Sequence, residues 1–190
     1  MEVLTGIFSA FGLSASAGLN AYIPLLVLAL GAKYTDWITL NPPWDTLTSW
    51  WVIGLLAILL LVEIFADKVP AVNHVNDIIQ TFVRPVAGAI AFAAGAGVIS
   101  DVHPVLAMAA GLLVAGSVHA VKAAAVRPAV TATTGGAGNV PVSTLEDIVS
   151  TVVSILALVI PILIGLILIA ILALVIWILW KRARREQQPA

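Results

Sequence analysis

The chain has 190 residues, 61% of them hydrophobic and 10% charged, with a formal net charge of −1. A soluble domain carries about 25% charged residues, so this is the composition of an integral membrane protein, expected to be an all-α helical bundle. The near-neutral charge offers nothing to nucleic acid, and the lack of cysteine excludes disulfides, thiolate metal sites and cysteine nucleophiles.

The N-terminus, MEVLTGIF, lacks the basic region of a cleavable signal, so the first hydrophobic stretch is expected to stay in the mature protein. Residues 3–32 carry no charge. As one helix they would run about 45 Å, more than the ~30 Å hydrocarbon core requires. Two readings follow: a tilted span with a Ser/Gly/Ala packing face, or a helix broken near Gly18, Asn20 and Pro24, with Asn20 and Tyr22 pointing into a cavity. Residues 33–51 form a polar connection. Pro42-Pro43 forbids regular helix there, and Trp37, Trp44, Trp50 and Trp51 read as an interfacial aromatic belt.

Residues 52–66 form the next span, with Glu63 and Asp67 one turn apart near its end and Lys68 following. Charged side chains cost roughly 2.5–3.5 kcal/mol each at the centre of a membrane helix, so the polar stretch from Glu63 to Pro85 must be paired, hydrated or used. Within it, residues 71–84 are too short to cross a bilayer. Asn73, Asn76, Asp77, Gln80, Thr81 and Arg84 recur at three and four, opposite Val72, Val75, Ile79, Phe82 and Val83. That period describes an amphipathic helix, either lying in the interface or re-entrant and lining an aqueous cavity. His74 and Asp77 have the spacing of a His-x-x-Asp metal pair, or of a wet helix face.

Pro85 suits the first turn of a further helix, and the Ala/Gly stripes of residues 86–100 suit the middle of a bundle. A turn at Asp101–Pro104 leads to a span over residues 105–126. His119 and Lys122 share one face near its end, and Arg127-Pro128 is expected to terminate it. Val-Arg-Pro occurs at 83–85 and again at 126–128, a hint of the internal repeats from which transporters are built. Residues 131–142 read as a loop. Ser143 then begins a helix whose STLED resembles a capping box with Glu146 in third place, and Glu146 and Asp147 suit its dipole. Residues 148–180 are the longest hydrophobic run, with Lys181, Arg182, Arg184 and Arg185 as a cytoplasmic stop.

This gives about five transmembrane spans plus the short helix at 71–84. A cytoplasmic C-terminus then leaves Lys68, Arg84 and Arg127 on the outside. Splitting the last run near Pro161 removes that conflict, but needs a hairpin without polar turn residues, whose backbone would go unsatisfied in lipid. The five-span reading is preferred, with Lys68, Arg84 and Lys122 in a buried charge network.

The chain resembles the membrane family catalogued as domain of unknown function 4126. The likeness rests on ASAGLNAYIPLL at 15–26, EIFADKVP at 63–70, RPVAGA at 84–89, HAVKAAAVR at 119–127 and STLEDIV at 143–149. It implies a small polytopic membrane protein and no known activity. Residues 1–160 are taken as the family-like helical domain and 161–190 as an extended last span with a basic tail.

The expected function is a small transporter or channel for an ion or solute. The proposed binding groups are Glu63, Asp67, Asn73, Asn76 and Asp77, with Asn20 and Tyr22 across from them, because oxygen ligands suit hard cations. Lys68, Arg84, Lys122 and Arg127 would balance the acids, with His119, Glu146 and Asp147 secondary. The alternative is a structural or accessory subunit, or a lipid-handling protein. No zinc or nucleophile motif supports an enzyme, and no cofactor is expected. Expected partners are the lipid bilayer and a small ion or solute, with a homo-oligomer left open, in a bacterial cytoplasmic membrane.

Overall fold

The computed structural model describes residues 2–36, 38–68, 70–97 and 102–186, without the side chains of 2–4, 70–74, 97, 162, 164, 165 and 183–186. Trp37, the turn at Asp101 and the side chains of Asn73, His74, Arg184 and Arg185 therefore lie outside the described residues. Every regular element among those described is helical.

The uncharged N-terminal stretch is two helices, α1 (Glu2–Leu19) and α2 (Ile23–Tyr34). The break is built by Asn20. Its Oδ1 accepts the backbone N–H groups of Tyr22 and Ile23 at 3.0 and 3.1 Å, and Pro24 falls in the first turn of α2, where no N–H is required. The broken-helix reading is the one observed. With 12 residues α2 is about 18 Å long, too short to cross a bilayer.

A 3-10 turn (Trp44–Thr48) leads into α3 (Trp50–Lys68), and α4 spans Pro70–Gly97 without interruption. Pro85 thus lies inside one long helix and starts none. A proline within a membrane helix is tolerated because neighbouring groups can take up the freed carbonyl. The segment 71–84 is no separate element, and of its described polar residues Asn76, Gln80 and Arg84 point inward while Thr81 stays exposed. Asn76, Gln80 and Arg84 are 8%, 2% and 0% exposed, while Ile78 and Phe82 are 56% and 73% exposed.

Helix α5 (Pro104–Val121) continues through a π-helical turn, Lys122–Val126, into α6 (Arg127–Thr134). Arg127-Pro128 does not end the helix as expected. The wider turn, closed by the Arg127 N–H on the Lys122 carbonyl, prepares the backbone for a proline that cannot donate. The expected loop over 131–142 shrinks to residues 135–138, where Gly135 and Gly136 hold φ of +63° and +93°, a region that favours glycine.

Helix α7 (Asn139–Val159) begins one turn earlier than the capping-box reading required, so Ser143 and Glu146 lie within it. The long apolar run also divides: Ile160 leaves helical geometry and α8 (Pro161–Glu186) starts at the proline. The Ile160 N–H donates to Leu156 O at 2.8 Å and Pro161 has none to satisfy, which removes the objection to a hairpin without polar residues. Ile171 and Val175 line a pocket with Val142, Leu145 and Val149, so α8 returns alongside α7. It brings Lys181 toward the end of the bundle that holds Lys68 and Arg127.

Side-chain pairings fix the directions. Asn20 meets Asp147, and Ser16 meets Ser150 and Ser154, so α1 and α7 are antiparallel. Gly31 of α2 faces Leu158, so α2 runs with α7. Helices α1 and α2 are therefore a hairpin whose tip, residues 20–22, sits inside the bundle. As predicted, the Ala-rich half of α4 is central: Ala87, Ala91, Ala93, Ala94 and Ala96 are buried. A methyl group on Gly111 would collide with the Gly88 carbonyl and with Phe92, so α4 and α5 touch backbone to backbone. Helix α8 lies at the periphery with its Leu and Ile side chains exposed. Among the described residues four helices are long and apolar enough to cross a membrane: Trp50–Lys68, Val75–Ala96, Pro104–Thr134 and Asn139–Val159.

Candidate functional site

Where α3 ends, α4 and α7 begin and α5 passes into α6, the polar residues of four helices meet the tip of the α1–α2 hairpin. Asp67 is at the centre. Its Oδ1 accepts from Asn76 Nδ2 at 2.8 Å, and its Oδ2 accepts from Arg127 Nη2 at 3.1 Å and from the Ser143 hydroxyl at 3.0 Å. Arg84 Nη2 lies 3.9 Å from the same oxygen. The two Val-Arg-Pro segments thus send their arginines to one carboxylate.

Each cation is shared. Arg127 also donates to Asp77 Oδ2 at 2.8 Å and approaches Glu146 at 3.9 Å. Arg84 donates to Glu63 Oε1 at 2.8 Å. Lys122 lies 2.6 Å from Glu146 Oε2 and donates to Leu19 O at 3.3 Å, the negative end of α1. Asn20 Nδ2 donates to Asp147 Oδ1 at 2.9 Å. The carbonyl of Asn20 is taken by the hairpin turn, so this residue shapes the tip.

The protonation of His119 follows from its neighbours. Arg84 Nη1 can only donate, and it lies 3.3 Å from His119 Nδ1, so that nitrogen accepts. The other nitrogen, Nε2, then donates to Thr81 Oγ1 at 3.2 Å, and the Thr81 hydroxyl donates to the Asp77 carbonyl at 2.8 Å. The tautomer assigned by this chain is a neutral imidazole, which makes His119 an orienter of Arg84. Tyr22, at the tip, lies within electrostatic reach of Glu63 and Arg84 and beside Gln80.

The structure therefore gathers Glu63, Asp67, Asn76, Asp77, Arg84, His119, Lys122, Arg127 and Glu146 into one network, with Asn20, Tyr22 and Asp147 along its inner edge. Lys68 stands aside with Asp147, at the polar end of an apolar groove between α2, α3 and α7. Ser143 and Gln80 are two members that sequence reasoning did not place in the site. Gln80 was signalled by the Asn76–Gln80–Arg84 stripe, whereas Ser143 was masked by its likeness to a helix cap. Among the described residues no group of three His, Asp or Glu side chains is disposed to hold a metal ion.

A cavity of about 380 Å³ reaches Asp67, lined by Thr131, Asn139 and the 135–137 turn. Away from it the interior is closed by Leu13, Ala17, Ala91 and Ala115, all essentially unexposed.

No curated protein and no solved structure matches the chain. The sequence model of one family, described as domain of unknown function (DUF4126), matches residues 7–181 and so runs from the middle of α1 to the basic end of α8. The protein is an integral membrane helical bundle that belongs to the DUF4126 family.

Proposed function

We propose that the protein transports a small cation through the polar site at Asp67. The observation that carries this reading is the one-sided approach to a buried carboxylate: Asp67 is 3% exposed, yet it lines the cavity at the 135–138 turn, and alanine-rich packing closes the opposite side. A site reached from one side at a time is what alternating access requires. The lining supports a cation, since it brings together the Asp67 carboxylate, the Thr131 hydroxyl and the Asn139 amide. Glu63, Asp67, Asp77, Glu146 and Asp147 also outnumber the cations Lys68, Arg84, Lys122 and Arg127 around them.

The test is cation flux into proteoliposomes for the wild type and Asp67→Asn, with thermal unfolding of both. Flux should vanish in the variant while it stays folded, because Arg127 keeps Asp77 at 2.8 Å. A wild type that moves none of the alkali or alkaline-earth cations, together with a variant that melts far earlier, would identify Asp67 as a structural lock.

One observation favours lipid handling as a second reading. A lateral groove of about 530 Å³ between α2, α3 and α7 is walled by Leu26, Leu30, Leu60 and Ile64 and ends at Lys68 and Asp147. This shape suits an acyl chain with a zwitterionic headgroup. Scrambling of labelled lipid by the same proteoliposomes, without cation flux, would select it.

A further inference from the structure

The lateral groove between α2, α3 and α7 owes its shape to the short hairpin. Helix α2 begins inside the bundle, where Asn20 meets Asp147, so it screens only part of the seam between α3 and α7. Along that seam the groove follows the helix axes. Leu60, Ile64 and Lys68 line it from α3, and Thr144, Ile148 and Val152 from α7, each a turn apart. Helix α3 ends where α7 begins, as the Asp67–Ser143 hydrogen bond shows. Lys68 and Thr144 therefore share one end of the groove, and Leu60 and Val152 the other, a little over two turns or about 12 Å away.

The polar end has bonding capacity to spare. Arg84, Lys122 and Arg127 each hold a carboxylate, whereas Lys68 is half-buried and makes no hydrogen bond or ion pair among the described residues. Asp147 accepts from Asn20 on Oδ1 at 2.9 Å, and its other oxygen accepts no hydrogen bond among the described residues. The opposite flank of α7 provides a contrast. There a groove of about 510 Å³ ends at Lys122 and Glu146, but these two are closed on each other at 2.6 Å and Lys122 is 3% exposed. Only the Lys68 groove has a cation and a carboxylate left to offer.

We propose that this groove binds one phospholipid with a primary ammonium headgroup, of the phosphatidylethanolamine type. Its phosphate sits on Lys68, its ammonium on Asp147, and an acyl chain lies along Leu30, Leu60, Ile64 and Val152. Charge complementarity selects this headgroup. A purely anionic one satisfies Lys68 but sets its excess charge against Asp147. A quaternary ammonium carries the right charge but has no N–H for the carboxylate. The direction of the groove agrees, because a lipid with its head at the end of α3 and its chain along the helix axes keeps the orientation it has in a bilayer leaflet. This proposal rests on the lipid reading of the groove and names its occupant; it requires binding and no movement across the bilayer.

Native mass spectrometry of the full-length protein in detergent tests it, with phosphatidylethanolamine, phosphatidylcholine and phosphatidylglycerol of identical acyl chains. The wild type should hold the ethanolamine lipid about tenfold more tightly than the other two. Asp147→Asn should erase its advantage over the choline lipid and stay folded, since the amide oxygen still accepts from Asn20. Lys68→Gln should weaken all three lipids; it breaks no pairing among the described residues, so its loss of binding reads the site apart from folding. Ile64→Trp fills the groove and should also weaken all three. Equal retention of the three lipids by the wild type, or a preference that survives Asp147→Asn, would overturn the proposal. Retention that neither Lys68→Gln nor Ile64→Trp changes would mark the lipid as a coat around the bundle and overturn it as well. Scrambling by the wild type without headgroup preference would defeat this proposal and keep the lipid-handling reading. Selective binding without scrambling would do the reverse.

Discussion

Where α4 finishes and α5 begins, Ala10 of α1 meets Phe92, Ala93, Ala96 and Ala107, and a methyl group added to Gly111 would run into Phe92 and the Gly88 carbonyl. Where α3 finishes and α4 begins, Arg84 and Arg127 hold carboxylates from three helices. The first region holds by proximity and offers a ligand no purchase. The second holds by charges whose pairing is shared. Shared pairs can be redistributed when an ion or proton arrives, whereas interlocked backbones cannot.

The largest effect should come from the charged region. Arg127→Met leaves Asp67 without its nearest cation and Asp77 unpaired, and breaking a buried pair this way costs roughly 3–5 kcal/mol. Thermal unfolding in detergent should show it as the most damaging of the substitutions considered. A melting temperature like the wild type's would mean that Arg84 alone suffices for Asp67. Next comes the packed region. Gly111→Val drives side-chain carbons into the Gly88 carbonyl and Phe92, and overpacking of this kind costs about 1–3 kcal/mol. Cross-linking between cysteines placed on α4 and α5 should weaken in the same variant. The smallest effect should be at Ser16, whose hydroxyl contacts Ser150 and Ser154 across α1 and α7. Hydrogen bonds between membrane helices average about 0.6 kcal/mol, so Ser16→Ala should shift unfolding only slightly. A large shift there would show that α7 is held by its serines more than by its ion pairs.

Much of the charged region was legible in the sequence, because Glu63, Asp67, Arg84, Lys122 and Arg127 stand out in apolar surroundings and each must be accounted for. The break at Asn20 was legible too, from an amide and a proline four residues apart. The facing of 71–84 was not. Its period places Asn76, Gln80 and Arg84 on one stripe, but an amphipathic helix looks the same whether that stripe meets water or protein. The prolines misled in both directions. Pro85 and Pro128 were read as helix boundaries and lie within continuing helical segments, while Pro161 follows a true break. The difference lies in what surrounds them: a π-helical turn prepares Pro128, whereas Ile160 has already left helical geometry. Ser143 was hidden because a serine three residues before a glutamate is also how many helices begin.

The turn at Ile160 has a consequence for how the chain reaches its place. Helices α7 and α8 are joined by a single apolar residue and a proline, with no charged or polar loop between them. Neither helix has a hydrophilic segment that must be carried through the bilayer to form the turn. As the chain is synthesised, the pair can enter the hydrocarbon region together, already folded back on itself, while Lys181 and Arg182 stay on the side where α7 began. Assembly of the charge network can then be late. Glu146 and Asp147, at the mouth of that hairpin, would meet Lys122 and Asn20 only once α7 docks against α1, so the network closes after α1 to α6 have entered the bilayer.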